Sequence, residues 1–282
     1  MLNQNACPGR GPATASHMVS GRGPQLSAIR HNVTAITDEG TSMSTVDRNQ
    51  PLGTPTWIDL AVPDLDRAQR FYGAVLGWTF DGGHCLLRDL PVAGLRPAAD
   101  PRPAWTVCFA TDDCDGTAKA VAAAGGKLLD QPHDDGEHAR VAVAEDPTGA
   151  RFGLWQGRKL PGARLVNEPR ALLRNDLVTP APKPARDFYC EVFAFALDGN
   201  DDLSGVDFTF LRRPDGHEIG GIIGDPSAAA PAWGTLFLAT DADAAGARAV
   251  EHGGEIVEAQ DSPYGRMVTI KDPFGAEFVL GS

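Results

Sequence analysis

"WIDLAVPDLDRAQRFYGAVLGW", residues 57–78, returns in altered form as "RNDLVTPAPKPARDFYCEVFAF", residues 174–195. Asp59 maps to Asp176, Phe71-Tyr72 to Phe188-Tyr189 and Val75 to Val192 at a constant offset. The match continues downstream. "PAWTVCFATDD" from Pro103 answers "PAWGTLFLATD" from Pro231, "GGKLLD" from Gly125 answers "GGEIVE" from Gly253, and "EDPTGARFGLW" from Glu145 answers "KDPFGAEFVLG" from Lys271. Self-similarity at a fixed period marks a repeated structural unit. Two units are expected, over residues 53–157 and 170–282, joined by a short polar linker over 158–169. Residues 1–52 are rich in Gly, Pro, Ser, Thr and Asn, with little apolar periodicity, and read as a flexible extension. Met43 opens a compact "MSTVDRNQPLGTPTW", so residues 1–42 are a candidate for sequence upstream of the natural start.

Each unit divides again. "WIDLAV" alternates apolar and polar at period two, as a half-buried strand does. Asp64 is placed to cap a helix that carries Leu65, Ala68, Phe71, Tyr72 and Val75 near helical spacing and stops at Gly77. Short strands are predicted around 78–80, 84–88 and 91–95, then a strand at 105–111 and a helix closing on Gly125-Gly126. Strands near 127–129, 139–144 and 150–155 complete the unit, with "EDPTG" as the turn before the last. The order is β-α-β-β-β, twice per unit and four times in the chain, which predicts an α+β fold.

Totals narrow the function. The chain has 282 residues, enough for about two domains, and 42% of them are apolar, enough for sizeable cores. A net charge of −12 disfavours a nucleic-acid partner. No apolar run approaches the length needed to span a bilayer, and no signal-type segment opens the chain. Cys7, Cys85, Cys108, Cys114 and Cys190 show no paired spacing, which reads as reduced thiols in a cytoplasmic protein.

The module order, the helix motif and the DPxG turn in register, twice, resemble the vicinal oxygen chelate superfamily. It includes glyoxalase I, extradiol dioxygenases, fosfomycin-resistance transferases and bleomycin-binding proteins. The resemblance implies that two β-α-β-β-β modules curl into an open sheet whose concave face is a cup for metal or ligand, and that the repeat makes a pseudo-dimer within one chain. It also implies metal-ligand positions: one seven residues before the helix-starting Asp, one on the fifth strand, one seven residues past the Asp of DPxG, and one on the fourth strand. Here these fall on Trp57, Thr106, Gly153 and near Ala93, and in the second unit on Arg174, Thr235, Val279 and about Gly220. None is a normal divalent-metal ligand, so no metal and no other cofactor is expected. The histidines outside the extension (His84, His133, His138, His217, His252) sit in or beside turns or a helix end and are expected at the surface.

Strand alternation puts Trp57 and Asp59 on the cup face, and the family's ligand position puts Gly153 and Trp155 there too. Two indoles flanking a glycine gap suit a flat, partly apolar ligand; equally, they can plug the space a metal would occupy. Trp78 and Trp105 are expected in the core. Asp59, repeated as Asp176, reads either as a structural carboxylate or as a general base. The ligand-facing candidates are therefore Trp57, Asp59, Thr106, Gly153, Trp155, Arg174 and Asp176, with Asp59 as the candidate acid/base. Three functions follow: a binding protein for a small flat or aromatic metabolite in a metal-free cup; a metal-independent isomerase, lyase or cyclase; or a metal-dependent glyoxalase-like enzyme with displaced ligands.

Overall fold

A computed structural model describes residues 45–98, 104–199, 205–262 and 265–282. In the first unit the chain runs β1 (Pro55–Val62), α1 (Leu65–Leu76), β2 (Thr79–Asp81), β3 (His84–Leu87), β4 (Leu90–Pro97), then β5 (Thr106–Ala110), α2 (Cys114–Ala123), β6 (Lys127–Asp135), β7 (Ala139–Glu145) and β8 (Arg151–Gly157). The second unit repeats this as β9 (Leu172–Thr179), α3 (Pro182–Phe193), β10 (Ala196–Gly199), β11 (Asp207–Arg212), β12 (Glu218–Gly224), then β13 (Ala232–Leu238), α4 (Ala242–Glu251), β14 (Glu255–Ser262), β15 (Gly265–Lys271) and β16 (Glu277–Gly281).

Each unit forms one curved eight-stranded sheet, ordered β2-β3-β4-β1-β5-β8-β7-β6 and β10-β11-β12-β9-β13-β16-β15-β14. The central pairs, β1 with β5 and β9 with β13, are antiparallel, while each module's first and last strands are parallel. The parallel closure requires a crossover, and each module's helix supplies it. Local sequence sets the helix limits. The Asp64 carboxylate accepts the Arg67 backbone N–H at 2.9 Å, and Gly77 ends the helix in the left-handed region, at φ 65°. β6 runs to Asp135, well beyond the predicted 127–129. Its polar "DQPHDD" segment pairs with β7 through two register shifts, and a bulged polar strand carries no period-two signal.

The four helices lie between the two sheets and build cores shared by both units. Phe71, Tyr72 and Val75 of α1 pack in one cluster with Ala245 and Ala249 of α4 and Phe237, Val268 and Phe278 beneath it. Ala118 and Val121 of α2 share a second cluster with Ala185, Phe188, Tyr189 and Phe193 of α3. Trp78 and Trp105 lie in the first, as expected, and Trp233 in the second. The Tyr72 hydroxyl donates to Asp272, in the DPxG turn of the other unit, at 2.9 Å. Trp233 Nε1 donates to the Tyr189 hydroxyl at 2.7 Å. With helices on the inside, both cups face outward.

Two boundaries differ from the sequence reading. Residues 1–44 of the expected extension lie outside the described residues, but 45–52 are docked: Val46 N–H donates to the Arg164 carbonyl at 3.0 Å, and Asn49 Nδ2 to the Gly157 carbonyl at 2.8 Å. The linker over 158–169 is largely a buried strap. Leu160, Ala163 and Leu165 are at most 5% exposed, because Leu160 and Ala163 meet the first cup and Leu165 joins the shared core, while Arg158, Lys159 and Arg164 take carboxylate partners.

Candidate functional site

β1 and β5 fix the first cup's register. Trp57 lies opposite Cys108 and Asp59 opposite Thr106, while Cys108 lies beside Gly153 on β8. Trp57 and Trp155 do face the cup, but no gap separates them. Their rings stack at 5.0 Å between centroids and 26° between planes, and each residue is 2% exposed. Cys108, Ala139, Leu160 and Ala163 complete an apolar plug around them. The strap closes it: Trp155 Nε1 donates to the Leu160 carbonyl at 3.1 Å and Ala163 N–H to the Thr56 carbonyl at 2.7 Å. Gly162, at φ 136°, presses on Thr56 so closely that a Cβ would fall 2.2 Å from its hydroxyl, so glycine is required there. The expected slot for a flat ligand between two indoles is thus replaced by direct indole-on-indole packing, an aromatic pair worth about 0.5–1.5 kcal/mol beyond its buried area.

Asp59 lies at the cup's edge. Its carboxylate occupies the space over Gly94 that a Cβ would fill. Its cationic partner is the half-exposed Arg96, at 3.4 Å, and the Trp57 indole N–H also hydrogen-bonds it. Burial pushes its pKa above the ordinary carboxylate value despite both. Thr106 is buried opposite Asp59. His84, expected at the surface, is half-buried, its ring 6.1 Å from Trp57 and 4.8 Å from His138.

The second cup has different contents. Arg174 takes the position of Trp57, opposite Leu236, which lies beside Val279. Its Nε donates to both Asp176 oxygens at 2.9 and 2.7 Å, and its Nη1 to Glu218 Oε1 at 2.5 Å. Its guanidinium stands 6.0 and 5.8 Å from the ring centres of Phe208 and Phe210. Those rings pack with Ile223 and Val178 as an apolar wall. Burial works against the Arg174 charge, but Asp176 and Glu218 outweigh it and raise its pKa. Gly234 is exposed in mid-strand opposite Asp176, and a Cβ there would meet only a backbone oxygen at 3.5 Å.

These registers correct three of the expected cup positions. Ala93 points to the helix side and Gly94 to the cup. Gly221, and not Gly220, pairs with Asp176. Thr235 is buried against Asn175 on the helix side, leaving Gly234 and Leu236 on the cup side. One residue of register exchanges the faces. The rows that would hold a metal are therefore Trp57–Cys108–Gly153, with Cys108 in place of the expected Thr106, which lies opposite Asp59 instead, and Arg174–Leu236–Val279. An indole, a thiol that burial holds protonated, a glycine, a paired guanidinium and two aliphatic chains do not fit a divalent cation. Among the described residues no group of three or more His, Cys, Asp or Glu side chains is placed to hold a metal ion. The described cysteines, Cys85, Cys108, Cys114 and Cys190, are free thiols, and no described helix is long and apolar enough to cross a membrane.

Two cupped units, each of two β-α-β-β-β modules, define the class of protein. Residues 172–280 match the Glyoxalase/Bleomycin resistance protein/Dioxygenase superfamily model and residues 56–155 a Glyoxalase-like domain model. A putative glyoxylase, CFP32, of Mycobacterium tuberculosis is 33% identical over 245 residues, covering 80% of this chain and 93% of that protein. The anthracycline biosynthesis protein DnrV of Streptomyces peucetius is 34% identical over 253 residues, covering 80% and 92%. The chain belongs to the glyoxalase/bleomycin resistance protein/dioxygenase superfamily, in its tandem form. The Mn(II)-bound glyoxalase from Novosphingobium aromaticivorans shares the fold at a TM-score of 0.57 and 18% identity, covering 82% of each chain. The catechol dioxygenase BphC does so at 0.57 and 14%, covering 82% of this chain and 87% of its own.

Sequence reasoning passed over Cys108, Glu218, Phe208, Phe210 and the strap. Phe208 and Phe210 were readable, since "FTF" places two rings on one face at period two. Glu218 was not, because the left-handed Gly220 (φ 138°) breaks the alternation between it and Gly221.

Proposed function

We propose that this protein binds a small, flat organic molecule in the cup of its second unit, without a resident metal. The observation that carries the reading is the contrast between the cups. Stacked tryptophans and a strap fill the first. The second keeps a buried ion network on one side, the Phe208–Phe210 wall on another and the side-chain-free Gly234 in the middle of β13. Concave, mostly apolar surfaces with a few placed polar groups are how proteins hold small molecules. A relative named for anthracycline biosynthesis supports a flat, fused-ring ligand. The donor sets of both cups support metal independence. Native mass spectrometry of the purified full chain tests both claims: protein with a retained small organic mass and well under one metal per chain is expected. A stoichiometric divalent metal, with its loss on chelation abolishing binding, overturns the metal-free part.

Asp59 supports a second reading, a metal-independent isomerase, lyase or cyclase with Asp59 as acid/base. Its raised pKa, loose pairing and position beside His84 are what a proton-transferring carboxyl needs. Turnover lost in Asp59→Asn, with stability unchanged, would favour it.

A further inference from the structure

Resting on the second cup as the binding site, we infer the class of ligand it takes: a neutral molecule that presents a carbonyl or phenolic oxygen to Arg174. Arg174 spends Nε on Asp176 and Nη1 on Glu218, but Nη2 is buried with no hydrogen-bond partner. A buried donor left unpaired is costly, and more so on a charged group. The phenyl rings do not replace the missing acceptor, because at 5.8–6.0 Å they lie at the outer limit of cation–π contact. The side chain as a whole keeps 17% exposure, while Nη2 itself is covered.

The charges around this donor set the second half of the inference. Arg174 faces two carboxylates, Asp176 and Glu218, each side chain only 10% exposed. Arg212 approaches Glu218 at 3.6 Å, but its Nε is committed to Asp198 at 2.9 Å. Two guanidiniums against three carboxylates leave no surplus positive charge. Arginine sites for carboxylate or phosphate work by presenting uncompensated charge through a free fork. Here Nε and Nη1 are already occupied and only the Nη2 amino group is spare. An anion would meet the Asp176 and Glu218 charges at close range in a poorly solvated site, which is unfavourable. A carbonyl or phenol oxygen takes the N–H without that repulsion, and an aromatic body behind it lies against Phe208 and Phe210.

Three probes of similar size separate the possibilities: 1-tetralone (neutral carbonyl), 2-naphthoate (anion) and naphthalene (no oxygen). Binding is measured by calorimetry on the full chain, on Arg174→Lys, which keeps the charge but loses the fork, and on Phe210→Leu. One hydrogen bond is worth roughly 2- to 10-fold in affinity. Tetralone should bind more tightly than naphthalene by about that factor, and naphthoate no more tightly than naphthalene. Arg174→Lys should erase the ketone's advantage, and Phe210→Leu should weaken all three. Preferred binding of naphthoate, or a ketone advantage that survives Arg174→Lys, overturns the ligand class while Phe210→Leu still marks the cup as the site. Probe binding indifferent to Phe210→Leu, or no binding of any probe at millimolar concentration, overturns the site and the ligand class with it.

Discussion

Tyr72 donates its hydroxyl to Asp272 at 2.9 Å, joining the helix motif of one repeat to the DPxG turn of the other. Asp272 Oδ1 meanwhile accepts the Phe274 and Ala276 N–H groups, both at 2.8 Å, so one carboxylate ties a turn together and anchors the other unit's helix. Tyr72→Phe removes the donor and leaves the buried Oδ2 without it. A loss of about 1–3 kcal/mol is expected. Calorimetry should still show one transition, because the cores of the two units are shared. Two separated transitions in the wild type would refute the shared-core account.

Trp57→Ala should cost about 3–5 kcal/mol, the range for truncating a buried aromatic side chain. The stacked plug of the first cup then gains a cavity beside Trp155. Trp57→Phe should cost less and leave probe binding at the second cup unchanged. A Trp57→Phe protein of normal stability that fails to bind would return the ligand site to the first cup.

Asp59 and Asp176 sit at matched positions, yet their Asn variants should differ. Asp176 is clasped by Arg174, so Asp176→Asn breaks a buried pair and should destabilise by about 3–5 kcal/mol. Asp59 has only Arg96 at 3.4 Å, and burial disfavours its charge. Asp59→Asn keeps an acceptor for the Trp57 indole and should be neutral or stabilising at pH 7. Urea titrations of the two variants decide it, and equal losses would show that Asp59 is structural after all.

The same carboxyl predicts a pH dependence. Its folded pKa lies above its ordinary value, so the folded state binds the proton more tightly than the unfolded one. The resulting stability is fully present below the unfolded pKa and is lost as pH rises through the folded pKa. Asp272, raised mainly by burial, acts in the same direction. In Asp59→Asn the Asp59 share disappears. Variant and wild type should therefore differ most in the variant's favour near neutrality, with the gap closing on acidification. A gap that widens towards low pH contradicts the assignment.

A chain starting at Met43 retains the contacts of Val46 and Asp47 with the strap and of Asn49 with the end of β8, and should melt within a few degrees of the full chain. A chain starting at Gly53 loses them. Its strap should then become protease-sensitive between Leu160 and Leu165, while the shared cores stay protected. Identical cleavage patterns for the two chains would mean that these residues do not hold the strap.

Much of this was legible in the sequence. Repeat register, helix caps and the DPxG turns depend on local residue chemistry, so Asp64, Gly77 and Asp272 could be read in place. The core tryptophans followed from their phase along β5 and after α1. What could not be read depends on segments distant in sequence. Whether Trp57 and Trp155 hold a ligand or each other was decided by Leu160 and Ala163, in a stretch whose charged residues made it look like a solvated linker. The difference between Asp59 and Asp176 rests on Arg174 lying two residues from one of them, while the other has only a half-exposed arginine across the sheet. The cup positions on β4 and β12 were missed by one residue each, since a bulge beside β4 and a left-handed glycine in β12 shift phase without changing composition; on β13 the repeat itself, setting Thr106 against Gly234, carried the right phase.

The strap has a further consequence, for how two molecules of this protein meet. Because α1 packs with α4 and α2 with α3, the front half of one chain could accept the back half of another as readily as its own. The segment that joins the halves decides between these outcomes. Docked along β1, with Ala163 bonded to Thr56 and Arg164 to Val46 and Pro91, it is too short and too fixed to release its own partner half. Loosened, it becomes the hinge of an exchanged dimer. A substitution that lifts it, such as Gly162→Val, would show first as a concentration-dependent change in mass, with each half-molecule folded much as before.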